Sequence, residues 1–205
     1  MDYPATPCGH VIVASVSTRG RNADVLVDEF VRYANEVGFE PRFEDEVPHE
    51  LRTTEENGTC RWLIRPAAAN PWVEDLKQRL PGPLPTSYLS LIGRYRFCNF
   101  EIGPLMLFSN TGQDFHFELS RAVFRDEGLF PILHTYGYLQ FGKPDAANYD
   151  PICFDSSRSD RGDSPIVQLD HEEILIRSRI RIVRKIAPSF ADFIQDAVTE
   201  RLPVA

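Results

Sequence analysis

Apolar positions recur along this chain in two rhythms, one near 3.6 residues and one of two, and the switches between them mark the predicted elements. Behind Asn22, a suitable N-cap, Val27, Phe30, Val31, Ala34 and Val37 fall on one helical face, and Gly38 supplies a left-handed stop. An earlier apolar run, Val11 to Val16, reads as a strand. From Glu40 to Glu56 the chain is acidic, contains Pro41 and Pro48, runs into Asn57-Gly58 and keeps no period, which predicts a surface loop. Cys60 to Arg65 alternates around Trp62 and Ile64 and suits a short strand.

Asn70-Pro71 has the form of an N-cap and first-turn proline, followed by Val73, Leu76 and Leu80 at helical spacing and stopped by Pro81, Gly82 and Pro83. Leu84-Pro85 opens a third helix with Tyr88, Leu91, Ile92 and Tyr95 on one face. Phe100 to Phe108 reads as strand interrupted by Gly103-Pro104. Asp114 is expected to start a helix running to about Arg125, with Gly128 beyond its end. Three strand-like pieces follow, Tyr138 to Phe141, Ile152 to Phe154 and Ile166 to Leu169, separated by turn-forming residues.

Between Ile174 and Val183, isoleucines alternate with Arg177, Arg179 and Arg181, which predicts a strand with one buried and one solvated face. Ser189 and Asp192 form a capping box for a closing helix striped by Phe190, Phe193, Ile194, Ala197 and Val198. No internal repeat is present. The pattern predicts an α+β fold, a mostly antiparallel sheet flanked by helices.

Composition adds bounds. With 205 residues, 42% hydrophobic and 25% charged, the chain suits one core with an extension. A formal charge of −8 and a pI near 5.1 oppose a general nucleic-acid binder and favour a basic or neutral protein partner. No apolar run reaches the roughly 20 residues of a membrane span, and the N-terminus lacks signal-peptide order, so a cytoplasmic protein without membrane contact is expected. Cys8, Cys60, Cys98 and Cys153 form no C-x-x-C pair and read as small packing residues.

Five pieces in order carry a resemblance: Leu84-Pro85-x-x-Tyr88, Gly137-Tyr138-Leu139-Gln140-Phe141-Gly142, Ile152-Cys153-Phe154-Asp155, Pro165-Ile166-Val167 and Ala187-x-Ser189-Phe190-x-x-Phe193. Together they resemble the SUKH superfamily of Smi/Knr-type proteins, over roughly residues 70 to 200. The resemblance implies a SUKH-like domain at 70–205, with 1–69 as an N-terminal αβ extension packing on the core. It implies a curved sheet whose loops bind a protein, typically the toxin domain opposed by a bacterial immunity protein, and it implies neither catalytic residues nor a cofactor. Eukaryotic relatives that regulate cell-wall synthesis leave a second expectation, a regulatory interaction module without a toxin partner. The chain departs from the family at Arg94-Tyr95-Arg96-Phe97 and in the acidic turn, here Pro144-Asp145-Ala146-Ala147-Asn148-Tyr149-Asp150.

The chemistry-bearing groups divide between bland and functional readings. Asp170-His171-Glu172-Glu173 offers His and carboxylates, but neighbouring strand residues face opposite ways, so a solvated strand end is expected. Cys153, Asp155 and His171 hold the ingredients of a cysteine nucleophile or a metal site, yet Cys153 lies between Ile152 and Phe154 where a buried thiol is expected. Cys8-Gly9-His10 and the tripeptide Arg161-Gly162-Asp163 read as terminus and loop tip. Partner contacts are expected from Tyr136, Tyr138, Tyr149, Asp145, Asp150 and Asp155, because aromatic anchors and polar rims dominate interfaces, with a core position as the alternative for Tyr138. Arg177, Arg179 and Arg181 read first as a solvated strand face paired with acids of the Glu40 to Glu56 loop, and they join the contact residues as groups able to grip carboxylate or phosphate. A monomer or weak homo-oligomer is expected.

Overall fold

Asn22 caps the first helix as expected, its side chain accepting from Asp24 N at 2.9 Å, and the helix α1 (Ala23–Val37) buries Leu26, Val27, Phe30, Val31 and Ala34. Val37 lies outside that stripe and is exposed. Gly38 ends α1 at φ +75°, a conformation that a Cβ makes costly, while its N–H donates to Ala34 O. The computed structural model describes residues 22–39, 47–54, 60–67, 70, 72–80, 82–111, 118–145, 147–160, 162–199 and 202–204. The expected strand at Val11, the Cys8-Gly9-His10 group, most of the acidic loop and the Asp114 helix start lie outside these residues.

After a 3-10 turn at His49–Leu51 come two small antiparallel pairs. Strand β1 (Arg52–Thr54) pairs with β2 (Cys60–Trp62), and β3 (Arg65–Pro66) pairs with β4 (Tyr95–Arg96). Between the latter lie α2 (Trp72–Arg79) and α3 (Thr86–Arg94). Tyr95 therefore leaves the helical face expected of it, and its hydroxyl donates to Asp28 at 2.6 Å. Asn70 precedes α2, but its side-chain amide donates to Ile92 O at 2.6 Å and ties α2 to α3.

Gly103 turns the hairpin of β5 (Phe100–Ile102) and β6 (Leu105–Leu107), at the place where the Gly-Pro break stood in the sequence. Next are α4 (Glu118–Phe124), α5 (Phe130–Thr135), β7 (Tyr138–Lys143), β8 (Ile152–Asp155), β9 (Ile166–Leu169), α6 (His171–Arg177), β10 (Ile182–Ala187) and α7 (Phe190–Val198). The main sheet is a curled antiparallel meander in the order β10-β9-β8-β7-β6-β5. The class is α+β, as the periodicities predicted.

Both faces of this sheet are covered, and the alternation within each strand shows why. Leu139, Phe141, Ile152, Phe154 and Ile166 join the larger core with α1, α3 and α7, whereas Tyr138, Cys153, Val167 and Leu169 form a smaller core with Leu133 of α5 and Ile174 of α6. A strand buried on both sides needs apolar residues at consecutive positions, which Ile152-Cys153-Phe154 supplies. Each fully buried Leu, Ile or Phe contributes about 1.5–3 kcal/mol relative to exposure. Trp62 and Phe39 stack at 4.3 Å and meet Phe100, so described residues from α1 to Ile64 share the larger core with the rest.

One glycine is fixed by close approach. Gly142 pairs with Leu107 and Ile152, and a Cβ there would meet the Leu105 side chain and stand 2.6 Å from Met106 O. Gly142→Ala is expected to destabilise the fold by about 1–3 kcal/mol, because backbone must move to admit a methyl group. The check is the denaturant midpoint, which falls with the slope unchanged if only packing is disturbed.

Candidate functional site

The sequence pattern misleads most around residues 170 to 183. Expected to be a strand end, Asp170 is instead the N-cap of α6, accepting from Glu173 N at 3.0 Å, with Glu172 and Glu173 in the first turn. Glu173 also pairs with Arg177 one turn on. Ser178, at φ +51°, ends the helix, and residues 178–181 lead into β10. Arg177, Arg179 and Arg181 therefore do not line one strand face: Arg177 closes α6, and Arg179 and Arg181 lie on the connecting loop. The period of two was an accident of Ile174, Ile176, Ile180 and Ile182 falling on a short helix, a loop and a strand. Ile174 is buried, but Ile176 is 76% exposed.

Two of the expected contact residues are interior. Tyr138 is buried on β7, and Asp155 ends β8 at 1% exposure rather than lying on a loop. The Asp155 carboxylate accepts from Ser157 Oγ at 2.5 Å and from Tyr138 OH at 3.5 Å, and it forms an ion pair with Arg158, whose Nε lies 3.5 Å away. Burial, reinforced by this carboxylate, pushes the Tyr138 hydroxyl up. A cleft of about 410 Å³ opens beside Asp155, walled by Val167, Ile186 and Pro188 with Arg158 and Lys185 among its lining residues.

The others lie at the surface around α6. Asp145 folds its own turn, accepting from Ala147 N and Asn148 N at 2.7 and 2.9 Å. Tyr149 is 66% exposed, its ring 6.1 Å from that of His171. Asp150 accepts from His171 Nδ1 at 2.7 Å, from His171 N and from Gln168 Nε2, joining the acidic turn to the start of α6. Arg181 pairs with Asp170 at 2.9 Å. At the other end, Tyr136 follows α5, half exposed, with its hydroxyl 3.5 Å from Ser178 O.

Sequence reasoning missed Leu175 and Ile176. They stand exposed in the middle of α6 between these two polar ends, and the surface reads in order as Tyr149 and His171, Leu175 and Ile176, then Arg177, Arg179 and Tyr136. The signal available was Asp170-x-x-Glu173, a capping pattern, after which Leu175 and Ile176 fall off the helical face that Ile174 buries. No family model, curated protein or solved structure matches the chain.

Other chemistry is poorly served by this geometry. Cys153 is fully buried in β8, where burial and the neighbouring Asp155 push its thiol up, opposite to the exposed, cation-flanked thiolate that a nucleophile requires. Among the described residues, no three His, Cys, Asp or Glu side chains form a group able to hold a metal.

The Asp150 contacts set a pH dependence. Burial raises this carboxyl, but the side-chain and backbone hydrogen bonds from His171 and the one from Gln168 outweigh it, and the net shift is downward. A depressed carboxyl contributes stability that is present above its unfolded value of about 3.9 and lost as pH falls through the folded value. Thermal melts from neutral pH into this acid range should show Asp150→Asn losing less stability than the unaltered chain. Parallel curves would remove the assigned role.

Proposed function

We propose that this chain is a non-catalytic protein-binding protein, an immunity protein that neutralises a cognate bacterial toxin domain by occluding it. The observation that carries the reading is α6, which buries Ile174 alone yet holds Leu175 and Ile176 in solvent between Tyr149 and a group of Tyr136, Arg177 and Arg179. Leaving Leu175 53% and Ile176 76% exposed forgoes part of the burial worth about 1.5–3 kcal/mol for a fully covered aliphatic side chain, which a partner's surface would recover. Aromatic and arginine anchors around an apolar centre are the composition in which binding energy concentrates. The resemblance to SUKH immunity proteins supplies the class of partner, and steric coverage requires no cofactor.

The test is co-expression with the product of an adjoining reading frame for a large secreted toxin. Rescue of growth and a stoichiometric complex on co-purification are expected, and Ile176→Ser should weaken the complex by about 2 kcal/mol while the fold stays intact. A toxin that remains active in the presence of the folded chain would overturn this reading and leave the regulatory interaction module in its place.

A further inference from the structure

From Ile174 to Pro188 the sequence has no carboxylate and carries five cations, Arg177, Arg179, Arg181, Arg184 and Lys185, in a chain whose formal charge is −8. Glu173 and Asp170 pair with Arg177 and Arg181. Arg179, Arg184 and Lys185 are exposed, and among the described residues no carboxylate lies within ion-pair distance of them. Leu175, Ile176 and Val183 add exposed aliphatic surface to the same limb. Such a concentration of one sign against the net charge creates a local field that selects the partner surface it meets.

The sheet edge has the same polarity. At the far end, β5 is bridged by Val204 to Ile102 and by Gly103 N donating to Pro203 O, whereas β10 is the outer strand with no such cover among the described residues. Its two register irregularities and its Arg184-Lys185 pair are features that discourage another strand from pairing with it. Contact through β10 is therefore made by side chains.

We propose that the α6–β10 limb docks an acidic protein surface through Leu175 and Ile176 of α6, the adjoining Arg177 and Arg179, and the Arg184 and Lys185 side chains of the β10 edge, which leave that strand on opposite faces. The inference rests on the protein-binding reading and adds the partner's local charge: overall acidity favours a basic or neutral partner, but the limb itself selects carboxylates. Nucleic acid fits less well, because phosphates seek clustered cations without aliphatic groups among them, and Asp170, Glu172 and Glu173 stand beside these arginines. A bilayer surface fits less well too, since α6 spans only about 10 Å and gives little apolar area to insert.

The test probes the full chain at low salt with a synthetic Asp- and Glu-rich peptide carrying a central pair of leucines, followed by amide chemical shifts. Shifts should cluster between residues 175 and 185, and the triple reversal Arg179→Glu, Arg184→Glu, Lys185→Glu should weaken binding about tenfold or more. These side chains are exposed, so melting temperature should hold; if it falls, the corresponding triple change to Gln provides the comparison. Unchanged affinity in the folded variant, shifts elsewhere, or tighter binding to duplex DNA or phosphatidylglycerol vesicles than to the peptide would overturn the proposal. So would sedimentation showing that a second copy covers the limb. The peptide is not the toxin: lost neutralisation with peptide binding intact removes only the immunity reading, and neutralisation without these shifts removes only this inference.

Discussion

Phe154→Ala should lower the unfolding free energy by about 3–5 kcal/mol, a large share of what a domain of this kind possesses. Phe154 stacks on Phe141 with ring centroids 3.9 Å apart and 6° between planes, and Tyr88 and Phe190 close around the pair at 4.9 and 5.9 Å from Phe154. Truncation would leave a cavity walled by three rigid rings that cannot collapse into it. Tyr88→Phe is the informative contrast. Among the described residues the fully buried Tyr88 hydroxyl has no hydrogen-bond partner, and burial pushes its ionisation strongly upward, so deleting it should be neutral or stabilise by about 1 kcal/mol. Denaturant unfolding should show a large loss for Phe154→Ala and no loss or a small gain for Tyr88→Phe, and equal losses would contradict the packing described.

Asn110→Ala should be the second large loss, about 3 kcal/mol, although no hydrophobic group is removed. Asn110 is 1% exposed; its Oδ1 accepts from Phe97 N at 3.0 Å, and its amide donates to Tyr95 O at 2.7 Å and Ile92 O at 3.3 Å. Ile92 O keeps its bond from Asn70, but the Phe97 N–H and the Tyr95 carbonyl would lose their side-chain partner. Asn110→Asp tests the donor half, since a carboxylate can still accept from Phe97 but cannot donate to the two carbonyls. A loss below about 1 kcal/mol for Asn110→Ala, measured by denaturant unfolding, would show that water replaces these bonds.

The aromatic quartet also explains what the sequence could reveal. Tyr88, Phe141, Phe154 and Phe190 belong to four of the five pieces that carry the family resemblance, and they meet in one place. Those residues encode packing, so they speak for a fold and say little about a partner. Helices α1 and α7 were legible because a cap and an apolar stripe agree, as at Ser189, which accepts from Asp192 N at 2.9 Å. α5 was not, since six residues beginning Phe130-Pro131 give too few turns for a period, and Pro131 near the start was the sole signal.

The candidate surface was half legible. Tyr136, Tyr149, Arg177 and Arg179 are exposed around α6, but Tyr138 and Asp155 are interior because β7 and β8 are covered on both faces, which single-strand alternation does not disclose. A period of two puts Ile176 on the same face as Ile174, whereas on α6 the two lie on different sides. A tertiary fact decided it, namely that a helix laid on the sheet through one residue turns its next two outward.

Hydrogen exchange of the chain alone and in complex with the toxin domain proposed as its partner tests the central claim most directly. Slowed exchange confined mainly to His171–Ala187 and the neighbouring Tyr136 and Tyr149 loops is expected. Protection centred on α1, α2 or the β5 edge, with this limb exchanging as in the free chain, would contradict it.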